Sequence, residues 1–218
     1  MSAILIDYMK IAVFGSTGKT GIQVVQQALE KGFELKAFVR NPQKMIIKNQ
    51  KLSVVQGDVV NVDAVDKSVQ GVDAVIVALG PSPDGTGNIM AKGTVNIIKA
   101  MEKYGIKRLI VESSFPMSGS SEGMMFLKKL GMTDEQMKMA KPAIDDKIKQ
   151  ESEIQKSELQ WVIVRPLMLT DGAKTSHYRV GEKLDVKPGD SISRADVADF
   201  MLKALDGSWS RKIVTLAY

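Results

Sequence analysis

The residues best placed to do chemistry fall in a few short stretches of a 218-residue chain. Gly15-Ser16-Thr17-Gly18-Lys19-Thr20-Gly21 sets three glycines between a β-branched run, Lys10–Phe14, and an apolar pattern of helical spacing, Gly21–Lys31. Glycines at such a turn permit a tight bend and let the backbone approach a pyrophosphate. The helix N-terminus adds free N–H groups and a partial positive charge. The spacing is G-x-x-G-x-x-G, which departs from the G-x-G-x-x-G of conventional dinucleotide loops. A triphosphate-binding loop is the rival, since Gly18-Lys19-Thr20 matches its last three residues. The glycine that motif needs five positions before Gly18 is replaced by Val13, whereas Gly21 suits a dinucleotide loop.

The next strand pattern, Leu35–Val39, is followed by Arg40, with Lys44 four positions on. A site for NAD usually carries an acid there for the ribose 2′-hydroxyl. A cation suits a 2′-phosphate instead, and a guanidinium can also stack on adenine. The expectation is NADPH over NADH, against the plainer alternative of a solvated arginine at a strand end.

Other chemistries are excluded by composition. The chain has no cysteine, so thiol nucleophiles, disulfides, Cys-ligated zinc and iron–sulfur clusters drop out. His177 is the single histidine and lies in a polar loop, so no metal site is expected and it is given no role. The net charge of +5 is spread along the chain and aromatics are only 6%, which argues against a nucleic-acid surface. The positive balance fits a small anionic molecule equally well. No apolar run approaches a membrane span of ~18 residues, and the first eight residues are too short and acidic for a signal peptide. Residues 1–8 are expected to be a disordered tail or the product of an upstream start codon, since Met9 directly precedes the first strand, and the protein is expected to be cytoplasmic.

The elements that must position these residues alternate without interruption through the first half. Strand patterns at Lys10–Phe14, Leu35–Val39, Leu52–Val55, Ala74–Leu79 and Arg108–Val111 are separated by helical ones at Gly21–Lys31, Val62–Val69 and Met90–Tyr104. Ala74–Leu79 is continuously apolar, as a strand covered on both faces requires. The order predicts an α/β, doubly wound parallel sheet (Rossmann) in one domain, residues 1–218, with a small C-terminal substrate region. Binding is then expected beyond the carboxyl ends of the strands. Residues 115–145 are read as a variable lid or substrate segment, rich in methionine, with turn-forming prolines at its edges. A promiscuous apolar pocket and an ordinary packed helix face are both consistent with those methionines. Ala143–Ser157 reads as a polar helix, Trp161–Val164 as a strand and Tyr178–Val186 as irregular strand. Ser193–Asp196 has capping-box spacing before a helix to about Leu205, and Ile213–Leu216 is a last strand.

Gly15–Gly21, Phe38-Val39-Arg40, Gly57-Asp58-Val59, Asp73–Gly80 and Trp161–Pro166 together resemble the atypical short-chain dehydrogenase/reductase group. The likeness is nearest to its flavin and biliverdin reductases and more distant from its NmrA-like members. It is good over residues 9–114, thins through 115–145 and recovers at Lys147, Glu151, Ile154, Ser157 and Leu159. The resemblance implies that Gly15, Thr17, Gly18, Lys19, Thr20 and Gly21 form the phosphate loop and that Arg40 holds the 2′-phosphate. Asp58 and Val59 would flank the adenine, and Leu79 and Gly80 would line the path to the nicotinamide. Ser113 and Ser114 would lie beside the nicotinamide ring, with Pro166–Met168 bracing its carboxamide side.

The departures narrow the chemistry. If Lys147 is the lysine of the group's Tyr-x-x-x-Lys pair, the tyrosine position is Ala143, and no tyrosine in the chain has Lys four residues on. The histidines of the biliverdin reductases, expected at Lys147 and near Met168, are not retained. A flavin, quinone or bilin stabilises its own reduced anion, so a dedicated acid is less essential than for a ketone. The expected function is therefore an NADPH-dependent reductase of a flavin, such as FMN, or a similar planar acceptor. Ser114 and Lys147 are its candidate catalytic residues, although each also has a plain structural explanation. The alternative is an NmrA-like, NADP-binding redox sensor without turnover. The expected partner is a small planar molecule, with no membrane or nucleic acid, and the chain a monomer or weak homo-oligomer.

Overall fold

The computed structural model describes residues 9–81, 88–116 and 118–218. The proposed tail at 1–8 and Met117 of the methionine-rich segment lie outside them. The first half folds as β1 (Lys10–Phe14), α1 (Lys19–Glu30), β2 (Glu34–Val39), β3 (Leu52–Gln56), α2 (Val62–Val69), β4 (Ala74–Val77), α3 (Ile89–Lys103) and β5 (Arg108–Glu112). The second half supplies α4 (Ser121–Lys129), α5 (Asp134–Lys156), β6 (Gln160–Pro166), β7 (Met168–Thr170), β8 (Arg179–Gly181), β9 (Ser191–Ser193), α6 (Arg194–Lys203) and β10 (Lys212–Ala217). Eight strands form one sheet in the order β3-β2-β1-β4-β5-β6-β10-β8, parallel except for β8 on β10. This is the Rossmann-like α/β sheet that the strand and helix order predicts.

Two apolar layers hold the sheet. On one face α1 and α6 pack with Val24, Val25, Val197 and Phe200 against Ile11, Val13, Ile76 and Ile110. On the other, α2, α3 and α5 pack with Val65, Ile97, Met101 and Ile154 against Ala12, Phe14, Val75 and Leu109. Every residue of β4 and β5 is buried, which explains their lack of apolar–polar alternation. The strand order reverses at β1, between β2 and β4, where a ligand crevice is expected.

The turn after β1 depends on missing side chains. Gly15 has φ +76°, and a Cβ there would stand 2.2 Å from the Ala78 carbonyl oxygen. A Cβ on Gly21 would lie 2.1 Å from the Gly15 oxygen. These distances pack the loop against the end of β4 and the first turn of α1.

Several boundaries differ from the pattern-based expectation. Helix α1 opens at Lys19 rather than Gly21, because Gly18 is its N-cap and the last glycine lies within its first turn. Helix α5 begins at Asp134 rather than Ala143, since Thr133 and Gln136 form a complete capping box upstream. Pro142 is therefore inside this helix, not a turn at its edge. Pro142 and Lys138 are both exposed, so water can take the carbonyl that proline leaves without a donor. Only Arg179–Gly181 of the Tyr178–Val186 stretch is strand. The Ser193 side chain caps α6 by accepting from Asp196 N–H at 3.0 Å, but the Asp196 carboxylate turns to the loop at Thr175 and Ser176 and to the Tyr218 hydroxyl. It is thus only half of the expected capping box.

The segment 115–145 contains α4 and the start of α5. Phe126 and Leu127 of α4 are buried, Phe126 against Leu167 and Ala217, with Phe115 meeting Phe126 edge-on. Met125 and Met139 are exposed, so this segment is partly core and partly open surface. Substituting Gly21→Ala should cost about 1–3 kcal/mol of stability, the usual penalty for overpacking a close contact. Urea unfolding of the variant beside wild type measures it.

Candidate functional site

A cleft of about 280 Å³ opens at the reversal of strand order. Its floor is the glycine loop, contributing Gly15, Thr17 and Gly18; its walls are Phe38 to Arg40 with Lys44, Asp58 with Val59, and Ala78 to Pro81 with Ile89. The buried Ser16 hydroxyl donates to the Phe38 carbonyl at 2.9 Å, tying the loop to the end of β2. Gly18 N–H donates to the Gly15 carbonyl at 2.9 Å and tightens the turn. The first amides of α1, from Lys19 onward, have no carbonyl within their own helix to bond.

The side walls are set by short local bonds. Asn41 accepts from Gln43 N–H at 3.0 Å and opens the 3-10 turn Pro42–Lys44, which brings Lys44 to the cleft beside the exposed Arg40. The Asp58 carboxylate accepts from Val60 N–H at 3.0 Å. Val59 is buried against Gly93 of α3, where a Cβ would come within 2.4 Å of Val59 Cγ2. Asn96 of α3 donates to the Val59 carbonyl at 3.0 Å. The result is a glycine-floored slot with one helix N-terminus at its base and two cations against one acid on its rim. That donor set fits a dinucleotide: backbone N–H groups for a diphosphate and apolar walls for a base.

A second cluster lies at the ends of β5 and β6, and much of it is buried. Thr20 of α1 donates its hydroxyl to Glu112 Oε1 at 2.8 Å. Lys147 Nζ donates to the Glu112 carbonyl oxygen at 3.3 Å. The Ser113 hydroxyl donates to Glu151, which also accepts from Arg165 through Nε at 3.0 Å and through Nη2. Burial pushes the Glu112 carboxyl above its usual range, against the pull of Lys147, Thr20 and Arg194. Burial pulls the Lys147 ammonium down, against the charges of Glu112, Glu151 and Asp146. Asp146 accepts from Met90 N–H at 3.0 Å and Ala91 N–H at 2.9 Å, capping α3 from a neighbouring helix.

The expected site residues divide between these two places. Gly15, Thr17, Gly18, Arg40, Asp58, Val59, Leu79 and Gly80 all line the cleft. Gly21 is buried at the start of α1, and the Thr20 hydroxyl is committed to Glu112, so only the Thr20 backbone is available to a phosphate. Lys19 pairs with Asp171 at 2.9 Å. Ser113 and Ser114 stand at the end of β5 beside Pro166, because Ser113 N–H donates to the Val164 carbonyl at 2.7 Å and Phe115 N–H to that of Pro166 at 3.0 Å. Ser113 is buried and its hydroxyl committed to Glu151, while Ser114 is half-buried. Met168 is exposed at the start of β7. Lys147 is only 7% exposed, which removes the solvated-lysine alternative.

Glu112, Asp146 and the Glu151–Arg165 pair were not expected as a network. Glu112 alone left a signal, as an ionisable residue directly after the apolar run of β5. The described tyrosines are engaged away from Lys147. Tyr104 donates to Asp66, Tyr178 to Asp199 and Tyr218 to Asp196.

Comparison with known proteins agrees with this geometry. The model of a family described as NAD(P)H-binding matches residues 15–208. An uncharacterized chloroplastic protein of Arabidopsis thaliana is 32% identical over 211 residues, covering 90% of this chain and 71% of that protein. Among solved structures, the oxidoreductase YlbE of Lactococcus lactis superposes with TM-score 0.77 at 20% identity, covering 95% of this chain and 90% of the other. ChuY, an anaerobillin reductase of Escherichia coli O157:H7, gives TM-score 0.78 at 22% identity, covering 95% and 96%. At these identities the two structures speak to the fold.

The raised Glu112 carboxyl has a consequence for stability. A carboxyl whose folded pKa lies above its unfolded value favours the protonated state in the fold. Its contribution is complete below the unfolded pKa of about 4.3 and is lost as pH rises through the folded value. The stability of wild type relative to Glu112→Gln should therefore fall as pH rises above about 4.3. Urea midpoints of both proteins across pH 4 to 8, roughly the interval that brackets such a shift, test this; a difference independent of pH would contradict it.

Proposed function

The chain belongs to the NAD(P)H-binding family, and on that basis we propose that it is an NADPH-dependent reductase passing hydride to a flavin or similar planar conjugated acceptor. The single observation carrying the cofactor choice is Arg40 with Lys44 on the rim of the cleft, at the end of β2. Both are cations where a ribose 2′-group would lie, and a guanidinium holds a phosphate through charge-assisted, bidentate bonds. The reduced nicotinamide supplies a hydride, and solvent can supply the accompanying proton.

What this chain contributes is binding and orientation. The glycine loop takes the diphosphate on backbone N–H groups. Ser113 is tied to Glu151, which leaves Ser114 as the strand-end hydroxyl for the nicotinamide or the acceptor. Lys147 reaches the same strand end and offsets negative charge there. The acceptor lies over the region of Ser114, Pro166 and Met168, below the partly open α4. It is a small molecule met by a monomeric or weakly associating protein, in the cytoplasm. Among the described residues no helix is long and apolar enough to cross a membrane.

A second reading is an NADP-binding sensor without turnover. It is favoured by Ala143, which stands where a proton-relay tyrosine would be, and by the engagement of the described tyrosines elsewhere. Nicotinamide absorbance separates the two, using NADPH or NADH with FMN, FAD, riboflavin, a quinone and biliverdin. Turnover with one acceptor supports the reductase; tight binding of NADPH without oxidation across the set supports the sensor. Arg40→Glu should weaken NADPH binding about tenfold or more while leaving NADH binding much less changed, the scale expected for a charge-assisted phosphate contact. Equal losses for both cofactors would remove the 2′-phosphate assignment.

A further inference from the structure

Strand β5 ends in a glutamate where its pattern calls for apolar core. Ile110, two positions earlier, packs in the layer under α1 and α6, and side chains two apart on a strand share a face. Glu112 is only 8% exposed, so its carboxyl enters that layer against the first turn of α1. Burying a carboxyl costs free energy that an apolar side chain would not, and buried ionisable groups beside a cleft gather at functional sites.

Three helices meet this one residue. From α1, the buried Thr20 donates its hydroxyl to Glu112 Oε1 at 2.8 Å. From α6, the charge of Arg194 reaches the carboxyl. From α5, on the opposite face of the sheet, comes Lys147, whose charge also reaches the carboxyl and whose ammonium donates to the Glu112 main-chain carbonyl at 3.3 Å. Of the carboxylates around Lys147, Glu112 acts on it most strongly. The other two are engaged elsewhere, Glu151 by Ser113 and Arg165 and Asp146 by the amides that open α3. Each of the two buried charges offsets part of the cost of burying the other. Thr20 is the second residue of α1, and its own amide has no carbonyl of that helix to bond. Holding its side chain therefore holds the turn that offers this amide to a diphosphate.

We propose that Glu112 is a positioning residue for both halves of the site: its carboxyl holds Thr20 and the first turn of α1 for the cofactor, and its negative charge pairs with the buried Lys147 at the strand end. The Lys147 half rests on the reductase proposed above. The Thr20 half rests on cofactor binding alone.

NADPH affinity, read by calorimetry on the intact chain, tests the Thr20 half without any acceptor. Removing a negative charge near the loop would by itself favour an anion, so charge and hydrogen bond predict opposite signs. Glu112→Met, which loses both, and Thr20→Val, which loses the donor, should each weaken NADPH about three- to tenfold, the scale of one hydrogen bond. The two combined should be no weaker than the weaker single variant. Glu112→Gln keeps an acceptor for Thr20 and should bind at least as tightly as wild type. Urea midpoints establish that each variant is folded. Tighter binding by Glu112→Met, additive losses, or no recovery in Glu112→Gln overturns this half.

Turnover tests the Lys147 half. Glu112→Gln should lower kcat about three- to tenfold despite its intact cofactor affinity, the scale of losing one buried opposite charge. In a Lys147→Met background the same substitution should cause no further loss. Wild-type kcat in Glu112→Gln, or an equal loss in both backgrounds, overturns this half. NADPH binding without oxidation by any acceptor would refute the reductase and the Lys147 half together, and leave the Thr20 half to stand on the affinities. Absence of NADPH binding would overturn both halves.

Discussion

The approach of the glycine loop to the Ala78 carbonyl is the contact on which the rest of the cleft depends. A methyl group on Gly15 would overlap that oxygen, and one on Gly21 would overlap Gly15 itself. Because neither is present, the chain turns within a few residues from β1 into α1. That turn leaves the N-terminal amides of α1 at the switch point of the sheet, with β2 and β4 on either side. Ser16, bonded to the Phe38 carbonyl, then fixes how far the end of β2 and its Arg40 stand from the loop. A dinucleotide slot follows from backbone packing before any charged side chain is considered.

Charge is distributed in two regimes around this turn. On the cleft rim Arg40 and Lys44 are in contact with water, where they can attract an anion and still be screened by salt. At the ends of β5 and β6 the ionisable groups are withdrawn from water and satisfied by one another. Glu112 meets Thr20 and the charge of Lys147, and Glu151 meets Ser113 and Arg165. A buried network is tolerated only when each member has a partner, and a network so satisfied keeps its geometry. The acceptor and nicotinamide positions proposed above adjoin this strand end. Lys19 and Arg194 are paired through Asp171 at the surface.

The sequence made the doubly wound sheet legible because its signals are local. Continuous apolar runs read as strands covered on both faces, glycines marked the helix ends, and three glycines marked the phosphate loop. Arg40 was legible for the same reason, since it follows a strand and strand ends converge in this fold; Asp58, Val59, Leu79 and Gly80 were expected only through the family resemblance, and they line the same cleft. The start of α5 was missed because Pro142 looked like a turn, and only its exposure on the finished helix shows that it can be passed. The side-chain commitments of Thr20, Ser113 and Lys19 were also hidden, because their partners lie far away in sequence: Glu112, Glu151 and Asp171.

By itself, then, the sequence determined the α/β architecture, the dinucleotide loop and the cationic end of β2. It excluded thiol and multi-histidine chemistry through the residues it lacks. Tertiary structure alone decided which hydroxyls are spoken for, that Lys147 is buried rather than solvated, and that one aspartate spans two helix N-termini. The physical reason is that backbone conformation answers to neighbours in the chain. Burial and pairing answer to neighbours in space, and those exist only once the sheet has brought β5, α5 and α6 together.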